Sequence, residues 1–169
     1  MTLIAVLAII SAIIEAKTRE FRKRRHTESH LYSMGATHVG FNPASEPTWV
    51  SFAFPSDLEE ISLYQSIEQV DFAGASLSDE AIEGISRLNH ISCLHMTQGC
   101  KVTDTQIALL ADNACIEVLR LTNSSVSDNA IPAIASIKCL KSVDLSGTPV
   151  TKAGAAKLKN LCPNLVIKY

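Results

Sequence analysis

Four segments of the chain share one spacing of apolar residues: Ile67-x-x-Val70-x-Phe72, Ile91-x-x-Leu94-x-Met96, Ile116-x-x-Leu119-x-Leu121 and Leu140-x-x-Val143-x-Leu145. They recur at intervals of 24, 25 and 24 residues, and a truncated fifth unit starts 25 residues further on, at Leu165. Alternation of apolar and polar positions within each segment predicts a short strand. Beyond each strand stands one more apolar residue, Leu77, Val102, Val126 or Val150, followed by Ser78-Asp79, Thr103-Asp104, Ser127-Asp128 or Thr151-Lys152. Such hydroxyls suit helix N-caps, where their oxygens accept from free first-turn amides, and Thr103 with Gln106 has capping-box spacing. Apolar residues three apart then follow: Ile82, Ile85, Leu88; Ile107, Leu110; Ile131, Ile134, Ile137; Ala155, Leu158, Leu161. Each unit therefore reads as strand, turn and helix with one apolar helix face. None can bury that face alone, so neighbouring units must stack.

The stretch before the repeats has a different pattern. Thr2 to Ile14 carries no charge, and Glu15, Lys17, Arg19, Glu20 and Arg22-Lys23-Arg24-Arg25 follow it. A secretory signal has its positive charges ahead of the apolar run, the reverse of this order. Thirteen residues are short for a span, yet Met1 and Ala16 extend the run and Lys17 and Arg19 can reach the headgroups, so a short membrane anchor over residues 1–16 is expected. An amphipathic or buried N-terminal helix is the alternative. No Pro or Gly interrupts Met1 to Met34, so one helix is expected to run to a stop at Gly35. Ala36 to Phe41 reads as a strand and Asn42 to Pro47 as a loop. Thr48–Phe54 and Asp57–Tyr64 read as two short helical pieces broken at Pro55. The expected organisation is an anchor and basic helix over 1–34, a hydrophobic cap over 35–66 and repeats over 67–169.

Charge and cysteine content narrow the function. The 169 residues carry a net charge of −2, which argues against a nucleic-acid binder acting through overall charge. The six Lys/Arg within residues 1–25 all follow the apolar run, so positive-inside counting places the repeats on the cytoplasmic side of a single-pass anchor. Five cysteines are an odd number and too few for a disulfide-built miniprotein, in keeping with packed thiols in a reducing compartment.

The repeat period and its strand core resemble the leucine-rich repeat family, whose units run ~20 to 29 residues. Val102-Thr103-Asp104 and Val126-Ser127-Asp128 resemble the cysteine-containing type, and Leu145-Ser146-Gly147-Thr148-Pro149-Val150-Thr151 is similar to a segment common in bacterial members. The layout of a basic helix, Met34-Gly35 through Val39-Gly40-Phe41, and Pro47-Thr48-Trp49 before the repeats resembles bacterial membrane-anchored leucine-rich repeat proteins. Lys152 and Ala155 depart from the family pattern, which has Asp and a larger apolar residue there. The resemblance implies an α/β solenoid, with parallel strands on a concave side, helices on a convex side and a hydrophobic helix ahead of them. It also implies protein binding and no shared chemistry.

Strand residues alternate between faces, so the third and fifth positions of each unit are expected on the concave side. The third-position column is then Gln69, Cys93, Val118, Ser142, Ile167, and the fifth is Asp71, His95, Arg120, Asp144, Tyr169. A partner-binding set of Asp71, Cys93, His95, Val118, Arg120, Asp144 and Tyr169 follows, since Arg and Tyr beside apolar residues are favoured anchors. Asp57, Glu59 and Glu60 in the cap form a second, acidic candidate surface.

Asp71, His95 and Cys93 could imitate a nucleophilic set, but a shallow strand surface has no evident oxyanion site or closed pocket. Cys93-x-His95 with Cys100 and Cys115 lacks the paired spacing of structural zinc. No cofactor, metal, nucleic acid or small-molecule substrate is expected. The predicted function is a noncatalytic protein-interaction module, anchored to a membrane. A soluble or periplasmic adaptor with a misread N-terminus is the alternative, and an enzyme using the Cys/His/Asp cluster comes third.

Overall fold

The structure is a computed structural model that describes residues 3–52, 58, 61, 63–64, 67–88, 91–111 and 116–169, with side chains from residue 8 onward. Helix α1 (Leu3–Ser33) leads into a hairpin of β1 (Ala36–Phe41) and β2 (Pro47–Phe52). The repeating part follows as β3 (Gln69–Ala73), α2 (Asp79–Ser86), β4 (Cys93–Thr97), α3 (Asp104–Leu109), β5 (Val118–Arg120), α4 (Ile131–Ser136), β6 (Ser142–Asp144), α5 (Lys152–Leu161) and β7 (Val166–Lys168). A turn of 3₁₀-helix, Asp128–Ala130, runs directly into α4. All seven strands form one sheet in chain order. β1 is antiparallel to β2, and every later pair is parallel.

The expected strands near Val70, Leu94, Leu119 and Val143 are thus β3 to β6, parallel and paired in sequence. Their alternation explains the layering. Val70, Phe72, Leu94, Met96, Leu119 and Val143 are buried against Ile82, Ile85, Ile107, Ile131, Ile134 and Leu158 of the helices, while the residues between them lie on the sheet's other, open face. Each fully buried aliphatic or aromatic side chain contributes about 1.5–3 kcal/mol relative to exposure, and no single unit assembles this core without its neighbours. All four expected hydroxyls cap as read: Ser78, Thr103, Ser127 and Thr151 each accept from a first-turn amide, and Thr103 with Gln106 forms a capping box.

A second set of bonds joins unit to unit. The Asp104 carboxylate accepts from Ser127 N at 2.7 Å and Ser127 Oγ at 2.6 Å, and Asp128 does the same for Thr151 N at 2.9 Å and Thr151 Oγ at 2.7 Å. Between α2 and α3 the link is Gln106, whose Nε2 donates to Asp79 Oδ1 at 2.9 Å and to the Leu77 carbonyl at 2.8 Å. Asp104 and Asp128 therefore each hold the cap of the next unit, whereas Asp79 reaches the next helix through Gln106, and a carboxylate at this place also favours its own helix N-terminus. The Thr151 bonds hold the Asp128 carboxyl below its ordinary range. Lys152 occupies the equivalent place in α5 and cannot accept, so the chain of carboxylates stops there.

Three expectations are corrected, and a fourth falls mostly outside the described residues. Pro47–Phe52 is a strand and not a helical piece, because the β-branched and aromatic alternation Thr48-Trp49-Val50-Ser51-Phe52 sits between β1 and β3, with Pro47 at the strand's start where a missing N–H is tolerated. Of the expected second helical piece, Asp57, Glu59 and Glu60 lie outside the described residues, while Leu58 and Ile61 are buried. Leu161 is 54% exposed rather than on the buried face, since α5 has a neighbouring helix on one side alone among the described residues.

The last correction concerns α1, which does run to a stop at Gly35 (φ +89°). Its final turns are seated by buried Thr27, Leu31 and Met34, and by Arg24, whose guanidinium lies 4.5 Å over the Phe41 ring. From Ala8 to His26 every residue is exposed. The expected single-pass span is not found: no helix among the described residues is long and apolar enough to cross a membrane. From Leu3 the uncharged run ends at Ile14, about 18 Å of helix against a hydrocarbon core of about 30 Å. Positive-inside orientation has no such span to act on.

Gly154, at the third position of α5, tests the carboxylate link. A Cβ there would lie 1.9 Å from Asp128 Oδ1. Gly→Ala in a helix ordinarily stabilises by about 0.5–1 kcal/mol. We expect Gly154→Ala to destabilise instead, lowering the urea midpoint. In an Asp128→Ala background the same substitution regains its ordinary stabilising sign.

Candidate functional site

In-register parallel pairing places every second residue of adjacent strands side by side on the open face. One row runs Trp49, Gln69, Cys93, Val118, Ser142, Val166 and the next runs Ser51, Asp71, His95, Arg120, Asp144, Lys168. Neighbours within a row are ~4.8 Å apart along the sheet. Six of the seven expected site residues fall in these rows: Asp71, Cys93, His95, Val118, Arg120 and Asp144. Tyr169 does not. Val143 pairs with Ile167, so the final step is 24 residues and not 25, and Lys168 takes the place expected for Tyr169 while Val166 takes that of Ile167. The cause is visible in the strand: Leu165 and Ile167 point inward two residues apart, whereas Leu140 and Val143 are three apart, so aligning Leu165 with Leu140 displaces the unit by one. Tyr169 instead borders a groove of about 490 Å³ at the β7 edge with Ala155, Lys159 and Val166.

Sequence reasoning missed two residues, Trp49 and Ser51, because β2 was read as helical. The available signal was the alternation from Thr48 to Phe52. Trp49 matters most. Its indole Nε1 donates to Asp71 Oδ2 at 2.6 Å, and the Gln69 amide donates to both Asp71 oxygens at 3.3 and 3.2 Å. His95 Nδ1 lies 2.6 Å from Oδ1. Gly40, opposite Trp49, leaves room for the ring, since a Cβ there would sit 3.3 Å from Trp49 Cε3. Asp71 is thus a partly buried carboxylate saturated by donors from three strands. Burial raises its pKa, but the bonds from His95, Trp49 and Gln69 outweigh this and hold the carboxyl below its ordinary range.

Asp144 is similarly occupied. Oδ1 accepts from Ser146 N and Oδ2 pairs with Lys168 Nζ, both at 3.0 Å. Desolvation raises its pKa, while the Ser146 bonds and Lys168 bring the net value below the ordinary range. Arg120 is exposed on β5, beside Asp144 and two strands from Asp71, and its guanidinium forms no ion pair or hydrogen bond with a described residue.

The arrangement orients a histidine: Asp71 holds His95 through Nδ1, the geometry by which a carboxylate fixes an imidazole, and leaves Nε2 as its other ring nitrogen. Cys93, however, is two residues from His95 along the same strand, ~6.7 Å away, and among the described residues the hydrogen bond to its sulfur comes from Ser92 Oγ at 3.9 Å. No group of three or more His, Cys, Asp or Glu among the described residues is placed to hold a metal. Cys100 is buried and its thiol is pushed up to about 11, so it packs as a small apolar group. Cys115 lies outside the described residues.

No protein-family model matches the chain. No curated protein matches it either. Among solved structures it is similar to a leucine-rich repeat protein of Leptospira interrogans, at 14% identity and a TM-score of 0.43, over 66% of this chain and 33% of that one. The chain thus spans a third of the length of that structure.

The Asp71 cluster has a pH signature. A carboxyl whose folded pKa is depressed contributes stability above its unfolded pKa, ~3.9, that is lost as pH falls through the folded value. Between pH 5 and pH 2 the urea midpoint of Asp71→Asn should therefore fall less steeply than that of the parent. Parallel slopes would show that the donors do not act on Asp71 in solution.

Proposed function

We propose that the chain is a noncatalytic leucine-rich repeat module that binds a protein partner on the open face of its sheet. One observation carries this reading: the two rows are fixed by the strand register, and the acids on either side of His95 and Arg120 are held by neighbours, so Cys93, His95, Val118 and Arg120 form a preorganised, shallow surface of mixed polarity. Rigid presentation lowers the ordering cost of association, and a flat patch suits a protein better than a small molecule, which favours concave pockets. The repeating units support the leucine-rich repeat assignment, and the buried Cys100 is in keeping with its cysteine-containing type.

Photo-crosslinking tests the reading. A photoreactive residue replacing Ser142 on the open face should capture a partner that the same residue at Ala156, on α5, does not. Capture should fall at least tenfold in an Arg120→Ala, His95→Ala double variant whose circular dichroism and thermal melting match the parent. Equal capture from both faces would remove the open face as the binding surface.

A second reading concerns attachment to lipid. Ile9, Ile10, Ile13 and Ile14 are 46–59% exposed near the start of α1, and six Lys/Arg follow within eleven residues. An exposed apolar end with a basic collar supports contact with an anionic membrane surface, without a span. Flotation with phosphatidylglycerol-containing vesicles, lost in Ile10→Glu, Ile13→Glu, is the expected result. Flotation unchanged by those substitutions would remove α1 from that role.

A further inference from the structure

Resting on the open face as the binding surface, we propose that its anchor is Arg120 and that the partner presents to it a single carboxylate, from an Asp or Glu within an otherwise uncharged extended segment. The argument is one of charge already committed. Two acids flank Arg120 in its row, and either could have neutralised it. Asp71, two strands away, has Oδ2 taken by Trp49 at 2.6 Å, Oδ1 by His95 at 2.6 Å, and both oxygens shared with Gln69. Asp144, on the adjacent strand, has Oδ1 taken by Ser146 N and Oδ2 by Lys168 Nζ, both at 3.0 Å. The guanidinium is left exposed, with its donor fork unused by any described residue, on a strand whose position is fixed on both sides. A planar fork of this kind takes a carboxylate bidentately.

The committed acids also define the anion. Asp144, the row neighbour of Arg120 at ~4.8 Å along the sheet, is already paired with Lys168, so the row offers one unpaired cation, which a single carboxylate matches in charge and a dianionic phosphate exceeds. Beside Arg120 in the other row lie Cys93, Val118 and Ser142, none of them charged, so the residues flanking the carboxylate are best apolar. His95, next in the row, is held by Asp71 through Nδ1, which leaves Nε2 as the nitrogen for a second polar contact.

The test uses two capped pentapeptides, Val-Val-Glu-Val-Val and its Gln twin, with inorganic phosphate as a third probe, each titrated into the full-length protein followed by nitrogen-15 NMR. We expect the Glu peptide to shift the Arg120 Nε–H and Trp49 indole signals in a saturable curve. Its affinity should exceed that of the Gln peptide and of phosphate at least fivefold, while Arg87, already paired with Glu83 at 3.2 Å, serves as an unresponsive control. In Arg120→Gln the Glu–Gln difference should vanish, with the free-protein Trp49 signal unmoved. Equal shifts from both peptides would overturn the carboxylate anchor while leaving the binding surface standing. Tighter binding of phosphate, equal response at Arg87, or no shift at Arg120 would overturn it as well, and the Ser142 crosslink decides the surface separately.

Discussion

In-register parallel pairing of β3 to β7 is the constraint on which the rest of the molecule depends. A slip of one residue in any strand would exchange its two faces, carrying Leu119 or Val143 into solvent and Arg120 or Asp144 into the core. Core burial therefore fixes the register, and the register fixes the open face. The links from Asp104 to Ser127 and from Asp128 to Thr151 act at the opposite end of each unit, tying the start of one helix to the start of the next. Strand and helix are thereby stepped together, and the polar rows inherit a spacing that no bond within the rows has to supply.

Much of this was legible because stacking imposes a periodic demand on the chain. Four strands, four helix starts and the capping box all follow from apolar residues and hydroxyls that must recur wherever a unit meets its neighbour. Legibility failed where the period failed. The β1–β2 hairpin belongs to no unit, so the helical reading of Thr48–Phe54 had no repeat to correct it. Leu165 looked like Leu140 by residue type, yet the shorter spacing to its next inward residue changed the register and exchanged Tyr169 for Lys168.

The candidate site divides along the same line. Positions on the open face could be counted off the repeat, but the state of their charges could not. That Asp71 is saturated depends on Trp49, a residue 22 positions away on a strand outside the repeats, and that Asp144 is charge-paired depends on Lys168. Pairwise partners are a property of side-chain reach across strands, which spacing alone does not encode. The cap hairpin thus does more than cover an exposed edge. It supplies the donor that takes Asp71 out of competition for its neighbours.

Lys152 bears on how such a chain can be lengthened. A unit inserted after α3 or α4 would find, at the start of its preceding helix, an acidic residue that already holds a Ser or Thr cap. A unit placed after α5 would meet an ammonium group, which has nothing to offer an amide or hydroxyl donor. Copying of a unit therefore keeps the cap link at those interior junctions and loses it at the one beyond α5, so that a single side chain makes the two directions of growth unequal.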